Sequence, residues 1–314
     1  MISNEERLKC YLNDLNFINF QQEQEYKSRY IFQVRKKMSK NKYKKLYAKL
    51  QEISCPELQA YLEDYKRIIR HSEANKAFEF YFLDNGKEEC INSNKPIFVK
   101  CRHKNDNKNI IVNLNKRRHW GLVEKINEIR SSAWNKKKKE LVWRGIDSGE
   151  EPVNNDRLKF IKKYHKKHNV GFSQYVQNAT HLKIKNDYQS IFLKDRLTLT
   201  QITSFKYILI LEGNDKSSSL NWVLNSNCVP LMKKPTWHSW LCEPFLRPNY
   251  HYIELKDDFS DIEEKLQWLR ENDDEAKEIA YNGIKYIETN FLDLKRESHL
   301  EKEIIRTIEP HLLY

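Results

Sequence analysis

The sequence predicts an α/β protein of two domains behind a helical, basic opening segment. Three observations carry this expectation. Residues 1–75 are polar and lysine-rich, with tyrosine and leucine at helical spacing in RKKMSKNKYKKLYAKL. Between 78 and 114, short aromatic and β-branched runs are separated by Asn, Gly and charged residues, the pattern of strands. From residue 140 onward apolar runs alternate with amphipathic stretches, which predicts a parallel sheet covered on both faces by helices.

The elements follow in order. The lysines of 1–75 have two readings, a patch for anionic lipid or nucleic acid and a solvated helix face. FEFYFLD (78–84), KPIFVKC (95–101) and NIIVNL (109–114) read as the strands of a first domain over 76–139. WGLVEKINEIRSSAWNKKKK (120–139) returns to helical spacing, and its lysine run at 136–139 reads as a solvated helix end. ELVWRG opens a second domain over 140–291, with the junction near 138–142. NNDRLKFIKKYHKKHN is a helix with Asp156 near its start. His165 and His168 stand on one face of it, but no third metal ligand accompanies them, so they read as surface histidines. FKYILIL, NCVPLM and YHYIEL are strands. FSDIEEKLQWLREN carries Ser260 and, three residues later, Glu263, a capping box. DDEAKEIAYNGIKYIETNF is an amphipathic helix, and residues 292–314 form another that can pack back on the first domain.

The 314 residues carry 56 Lys+Arg against 44 Asp+Glu, a net charge of +12. Such a balance favours polyanionic partners: nucleic acid, an anionic membrane face or phosphorylated ligands. No helix-turn-helix, zinc-finger or RNP signature supports the first. No apolar stretch is long enough to cross a bilayer and MISNEERLKC is no signal peptide, so a soluble or peripheral protein is expected. Cys10, Cys55, Cys90, Cys101, Cys228 and Cys242 are scattered without a CxxC pair and read as free thiols in a reducing cytosol.

The chemistry concentrates in EGNDKSSS, at the end of FKYILIL. Ligands of open parallel sheets bind beyond the carboxyl ends of the strands. The next helix is expected to start among Ser217, Ser218 and Ser219, where serine caps free backbone N–H groups. Those groups and the helix dipole attract anions by about 0.3–1 kcal/mol. With Lys216 beside them they suit a diphosphate. GxxxxGK[ST] and GxGxxG are both missing, and a turn that simply caps a helix is the competing reading.

SFKYILILEGNDKSSSLNWVLNSNCVPLM and the following WLCEPFLRPNYHYIELKDDFSDIEEKLQWLRENDDEAKEIAYNG resemble glycosyltransferase family 90, the lipopolysaccharide glycosyltransferase and capsule-associated-protein family, and its bacterial lipopolysaccharide branch in particular. KPIFVKCR, NKRRHWG, VWRG and EGND stand in the family's order, and the likeness covers about residues 78–291. The resemblance implies a GT-B-like fold, two Rossmann-type domains facing across a cleft, with a nucleotide-sugar donor held mainly by the second. It implies an inverting transfer of a hexose from a UDP-sugar, UDP-glucose or UDP-galactose, to a lipopolysaccharide-type glycan acceptor at the inner face of the inner membrane. No cofactor beyond the donor is expected. No metal is expected either, because no DxD stands at a convincing strand end. A nucleic-acid-binding protein using its basic surface is the alternative.

Roles carry over by residue. Arg144 and Gly145 of VWRG are expected at the donor phosphates, the first by its planar fork and the second by letting the backbone come close; a structural ion pair is the other reading of Arg144. Arg157 matches the family's second arginine. Gly213, Asn214 and Asp215 match EGND. The animal members carry an arginine near the position of Ser219, so phosphate contacts shift here toward Lys216, Arg144 and backbone N–H groups. Glu243 of WLCEPFL suits a ribose cis-diol, or a salt bridge at a helix end. Arg102, Arg118 and His119 are candidates for an acidic or phosphorylated acceptor, Arg118 alternatively for a strut. Asp84 matches the strand-end general base of the animal relatives, although Asn85-Gly86 replaces their aromatic-proline; a plain turn aspartate is its other reading.

Overall fold

A computed structural model of the chain describes residues 1–13, 31–34, 37, 39–52, 58–74, 76–81, 97–149, 155–178 and 188–312. Its strands in chain order begin with β1 (Ile31–Val34), β2 (Phe78–Tyr81), β3 (Phe98–Val99), β4 (Cys101–His103) and β5 (Ile110–Ile111). They continue with β6 (Lys138–Ile146), β7 (Asn169–Gln174), β8 (Phe205–Leu209), β9 (Val229–Met232), β10 (Trp237–Ser239) and β11 (Ile253–Glu254). The chain divides into two compact units. The first is 1–118 with 236–244 and 291–314; the second is 119–235 with 245–290.

The first unit holds a sheet of order β1-β2-β3-β5, antiparallel between β1 and β2 and parallel elsewhere. Side chains two apart on a strand share a face, so Phe78 and Phe80 both turn into the core, 5.5 and 5.0 Å from the ring of Phe98. The excursion 236–244 adds a two-stranded ribbon, β10 against β4. The helices Asn4–Leu12 and Leu58–Ile69 pack on Leu294–Ile308. Arg7 is wholly buried there, bonded to Glu297 at 2.5 Å and set over the rings of Tyr11, Trp240 and Phe291. The opening segment is therefore not purely helical, since β1 lies within it and pairs with β2.

The second unit is a five-stranded parallel sheet of order β11-β9-β8-β6-β7. Its strands are buried on both faces, with Tyr207, Ile208, Val229 and Leu231 almost without exposure. This is why they read as unbroken apolar runs.

Three expectations are corrected here. The lysine run at 136–139 does not end a helix; Lys138 begins β6, and buried Lys137 donates to the Thr203 carbonyl and to Cys228 Sγ at 3.3 Å. The capping box does not form. Helix Ile262–Glu271 is entered through Asp261, and Glu263 instead lies 3.1 Å from His168 Nε2. His168 is accordingly no loose surface residue: its side chain is 6% exposed, and burial lowers its pKa. The next helix spans Asp273–Phe291, as the amphipathic pattern predicts. No helix among the described residues is long and apolar enough to cross a membrane.

Candidate functional site

Numbered along the chain, the parallel sheet has its first strand, β6, one place in from an edge. The second, β7, lies on one side, and β8, β9 and β11 follow on the other. This is the doubly wound order 2-1-3-4-5, in which the connections reverse between the first and third strands and open a crevice at their carboxyl ends. Here that switch point lies between β6 and β8. The segments leaving it are Asp147-Ser148-Gly149 and the turn at 211–218.

A knot of hydrogen bonds ties these segments to the loop after β7. Asp147, without exposure, accepts from the backbone N–H groups of Val176 at 2.6 Å and Gln177 at 2.9 Å. The amides of Gln177 and Asn214 exchange two bonds, at 3.2 and 3.0 Å. Asn214 Oδ1 also accepts from the N–H of Gly149 at 3.0 Å, and Asn178 donates to the Gly149 carbonyl. Polar loops at strand ends are normally solvated; bonded to one another in this way they keep one shape before any ligand arrives.

Arg157 holds the knot from beneath. Asn155 caps the helix Asp156–Tyr164 by accepting from the N–H of Leu158, which sets Arg157 in the first turn. Its guanidinium donates to the carbonyls of Ile146 (2.9 Å), Glu212 (3.1 Å) and Leu211 (3.2 Å) and to the Ser148 hydroxyl. The strand ends of β6 and β8 are thus joined through one planar fork. Gly213 is the residue this approach requires. A Cβ there would lie 2.7 Å from both Arg157 Nη2 and Ser148 Oγ.

Inside the turn, buried Lys216 donates to Asn221 Oδ1 at 2.8 Å, and the hydroxyls of Ser217 and Ser219 lie 2.9 Å apart. The helix starts at Ser219 with Ser218 at its N-cap, but Ser218 is in the αR region and makes no side-chain cap bond. The expected serine cap is therefore absent, because an αR residue does not aim its hydroxyl back at the first turn. Beyond β9, Lys233 pairs with Asp156 at 2.7 Å. Arg157, Lys216 and Lys233 thus stand around the carboxyl ends of three strands. Asp147, Asp156 and Asp215 stand in the segments that follow or border the same strand ends.

The other candidates are placed differently. Arg144 donates to the carbonyls of Trp143 (2.8 Å), Asn169 (2.8 Å) and Asp195 (2.9 Å) and to Asn169 Oδ1 (2.8 Å). Its fork is engaged by protein oxygens and braces β6 against β7. Gly145 makes room for an indole rather than a ligand, since a Cβ there would lie 2.4 Å from the Trp143 ring. Glu243 belongs to the first unit, where its carboxylate accepts from the N–H and the hydroxyl of Ser239, both at 2.6 Å. Arg102, also buried, donates to the carbonyls of Cys10 (2.6 Å), Asn109 (2.7 Å) and Tyr11 (3.1 Å), which makes it an internal strut of the first unit. Arg118 is exposed at the end of the first unit, and buried His119 opens the second. Asp84 lies outside the described residues.

Asp147, Ser148 and Gln177 enter the site without having been anticipated. A signal existed for the first two: GIDSG places an acid and turn-forming residues directly after an apolar strand. None marked Gln177.

Comparison with known proteins places the chain in a wider group. The family described as Glycosyl transferase family 90 matches residues 110–296. The match includes the whole second unit and leaves out Asp84 and Arg102. The O-glucosyltransferase LpsA of Dichelobacter nodosus is 28% identical over 230 residues, 73% of this chain and 65% of that protein. Protein O-glucosyltransferase 2 of Danio rerio is 26% identical over 159 residues, 51% of this chain and 30% of its own length. Human Protein O-glucosyltransferase 1 is 27% identical over 162 residues, 51% of this chain and 40% of its own length. The chain thus spans less than two thirds of the length of each of these relatives.

Proposed function

The chain belongs to glycosyl transferase family 90, and from that premise we propose that it transfers a hexose from a UDP-sugar to a hydroxyl of a lipopolysaccharide-type glycan. The observation that carries this reading is the convergence of the loops after β6, β7 and β8 at the switch point of the parallel sheet, locked by Arg157. A crevice of that kind takes a nucleotide with its diphosphate against the strand ends. In this reading the second unit is the donor half of a GT-B-like enzyme. The backbone N–H groups of the turn at 213–219 and the charges of Arg157 and Lys216 face the diphosphate.

The acceptor hydroxyl attacks the anomeric carbon, the new glycosidic C–O bond forms, and the bond from that carbon to the β-phosphate oxygen breaks. UDP leaves with that electron pair, and the hydroxyl proton passes to Asp84. Attack from the face opposite the leaving group converts an α-linked donor to a β-linked product. The cationic residues of the crevice neutralise the departing diphosphate, so activity survives EDTA. The basic opening segment favours an anionic membrane face, where each Lys or Arg contributes about 1 kcal/mol.

The test begins with UDP alone. A ligand at about 100 times its Kd stabilises the fold by about 2.7 kcal/mol, so a nucleotide-dependent rise in melting temperature is expected. Asp84→Asn keeps that rise and loses most of the transfer, a loss of about 10²–10⁴-fold. The absence of any UDP-dependent shift at millimolar nucleotide, or an α-linked product, overturns the reading.

A further inference from the structure

The second unit has another concavity, at the opposite end of its sheet from the crevice. Asn249 and Tyr250 precede β11, and helix Ile262–Glu271 runs back from the carboxyl end of that strand, so its last turn reaches the amino-terminal side. There it meets the first turns of Asp273–Phe291, and a groove of about 770 Å³ opens between them. Its floor is apolar: Ile253, Ile279 and the rings of Tyr250 and Trp268, each 40% exposed. Large aromatics at that exposure, side by side, mark a surface made to be covered.

The rim is acidic. Glu264, Trp268 and Glu271 fall at helical spacing on one wall; Glu275, Glu278 and Asn282 do so on the other. Lys265 is the single basic residue of the lining. Among the described residues, none of these four glutamates has an ion-pair partner. Tryptophan flanked by carboxylates is a receptor for ammonium groups, through both the ring face and the charges. In a protein of net charge +12, four carboxylates without an ion pair around exposed rings make a surface suited to a cationic occupant.

The same chain supplies one. Helix Lys40–Glu52 exposes Lys40, Lys42, Lys44 and Lys45, none of them ion-paired among the described residues, and Tyr47 is 37% exposed. From Lys40 to Tyr47 is two helical turns, about 10 Å. The walls from Glu264 to Glu271 and from Glu275 to Asn282 have the same length. We infer that the groove docks the helix Lys40–Glu52 of a second copy of this chain, lysines to the glutamate rim and Tyr47 to the aromatic floor. In a two-fold pair each copy offers its helix and receives its partner's, so the small contact is made twice. The inference does not rest on the sugar-transfer reading.

Sedimentation velocity on the full chain tests it. At low salt a dimer is expected whose fraction rises with protein concentration and disappears near 1 M salt, where the Debye length is about 3 Å. The triple variant Glu271→Lys/Glu275→Lys/Glu278→Lys is expected to be monomeric, and so is Lys40→Glu/Lys42→Glu/Lys44→Glu. Both sets are exposed, and circular dichroism verifies their folding. Mixing the two restores a heterodimer, held by one reversed contact and one wild-type contact. Trp268→Ala, which leaves the charges in place, weakens the wild-type dimer at least tenfold. A chain that stays monomeric at low salt and high concentration overturns the inference. So does a dimer that neither reversal disturbs. A synthetic peptide of residues 39–52 that binds a strictly monomeric chain also overturns it, because the occupant would then be another protein.

Discussion

Replacing Arg157 by alanine is the perturbation that reads the candidate site most directly. Its guanidinium donates to three carbonyls, those of Ile146, Leu211 and Glu212, and to the Ser148 hydroxyl. Hydrogen bonds from a charged donor are worth about 1.5–3 kcal/mol each when one partner is removed. The side chain is half-buried, so water re-solvates part of what is left. The expected cost is therefore nearer about 2–4 kcal/mol than the sum of the separate bonds. For a chain of this size that lowers the melting temperature by roughly 3–6 °C. The loss is measured by urea unfolding, alongside the stabilisation by UDP, which should fall about tenfold in affinity because the turn at 211–218 loses its anchor. Arg157→Lys keeps the charge but not the fork and should recover less than half of either quantity. An alanine variant within about 1 kcal/mol of wild type, with its UDP response intact, would refute the idea that this residue shapes the turn.

Gly213→Ala places a methyl group 2.7 Å from Arg157 Nη2 and Ser148 Oγ; a cost of about 1–3 kcal/mol and a reduced UDP response are expected in the same two assays. Arg144→Ala removes the brace to Asn169 and Asp195, so urea unfolding should show a loss while the residual fold still responds to UDP. Glu243→Ala leaves the N–H and hydroxyl of Ser239 without their acceptor and should cost about 3 kcal/mol, with Glu243→Gln intermediate. Burial and the neighbouring Arg247 push the pKa of His251 down to about 4, against about 6.5 in the unfolded chain. Between those values only the unfolded chain holds the proton, so stability falls as pH drops from about 6.5 to about 4 and falls no further from this cause below that. His251→Asn, melted across the same range, should flatten the profile.

The second unit was the more legible half of the fold. β8 and β9 could be read because strands buried on both faces must be continuous apolar runs, and Asp273–Phe291 because its pattern keeps one period over five turns. Lys137 misled because its ammonium is satisfied by a carbonyl 66 residues away, which no local pattern records. The bracing role of Arg144 is hidden in the same manner: its acceptors lie 25 and 51 residues further on. At the site, EGND was recognisable as a turn at a strand end. Its rigidity comes from Gln177, Asp147 and Arg157, and it depends on tertiary pairing. Glu243 sits in a nine-residue stretch of sequence bounded on both sides by the second unit yet folded with the first. Composition does not change at either boundary of that stretch, so its membership could not be read from residue types.

That interleaving of the chain has a consequence for biosynthesis. Arg7 finds Glu297 across 290 residues, and Ser72 finds Glu309 across 237. At about 5–20 residues per second, roughly 15–60 s pass between the appearance of the first partner and that of the second. The segment holding Arg7 and Tyr11 must wait through the synthesis of the whole second unit, which can close its parallel sheet in the meantime. The opening segment thus spends most of translation exposed, with the burial of its arginine deferred to the last helix. A nascent chain arrested before Leu294 should therefore protect the second unit from protease while the first remains cleavable.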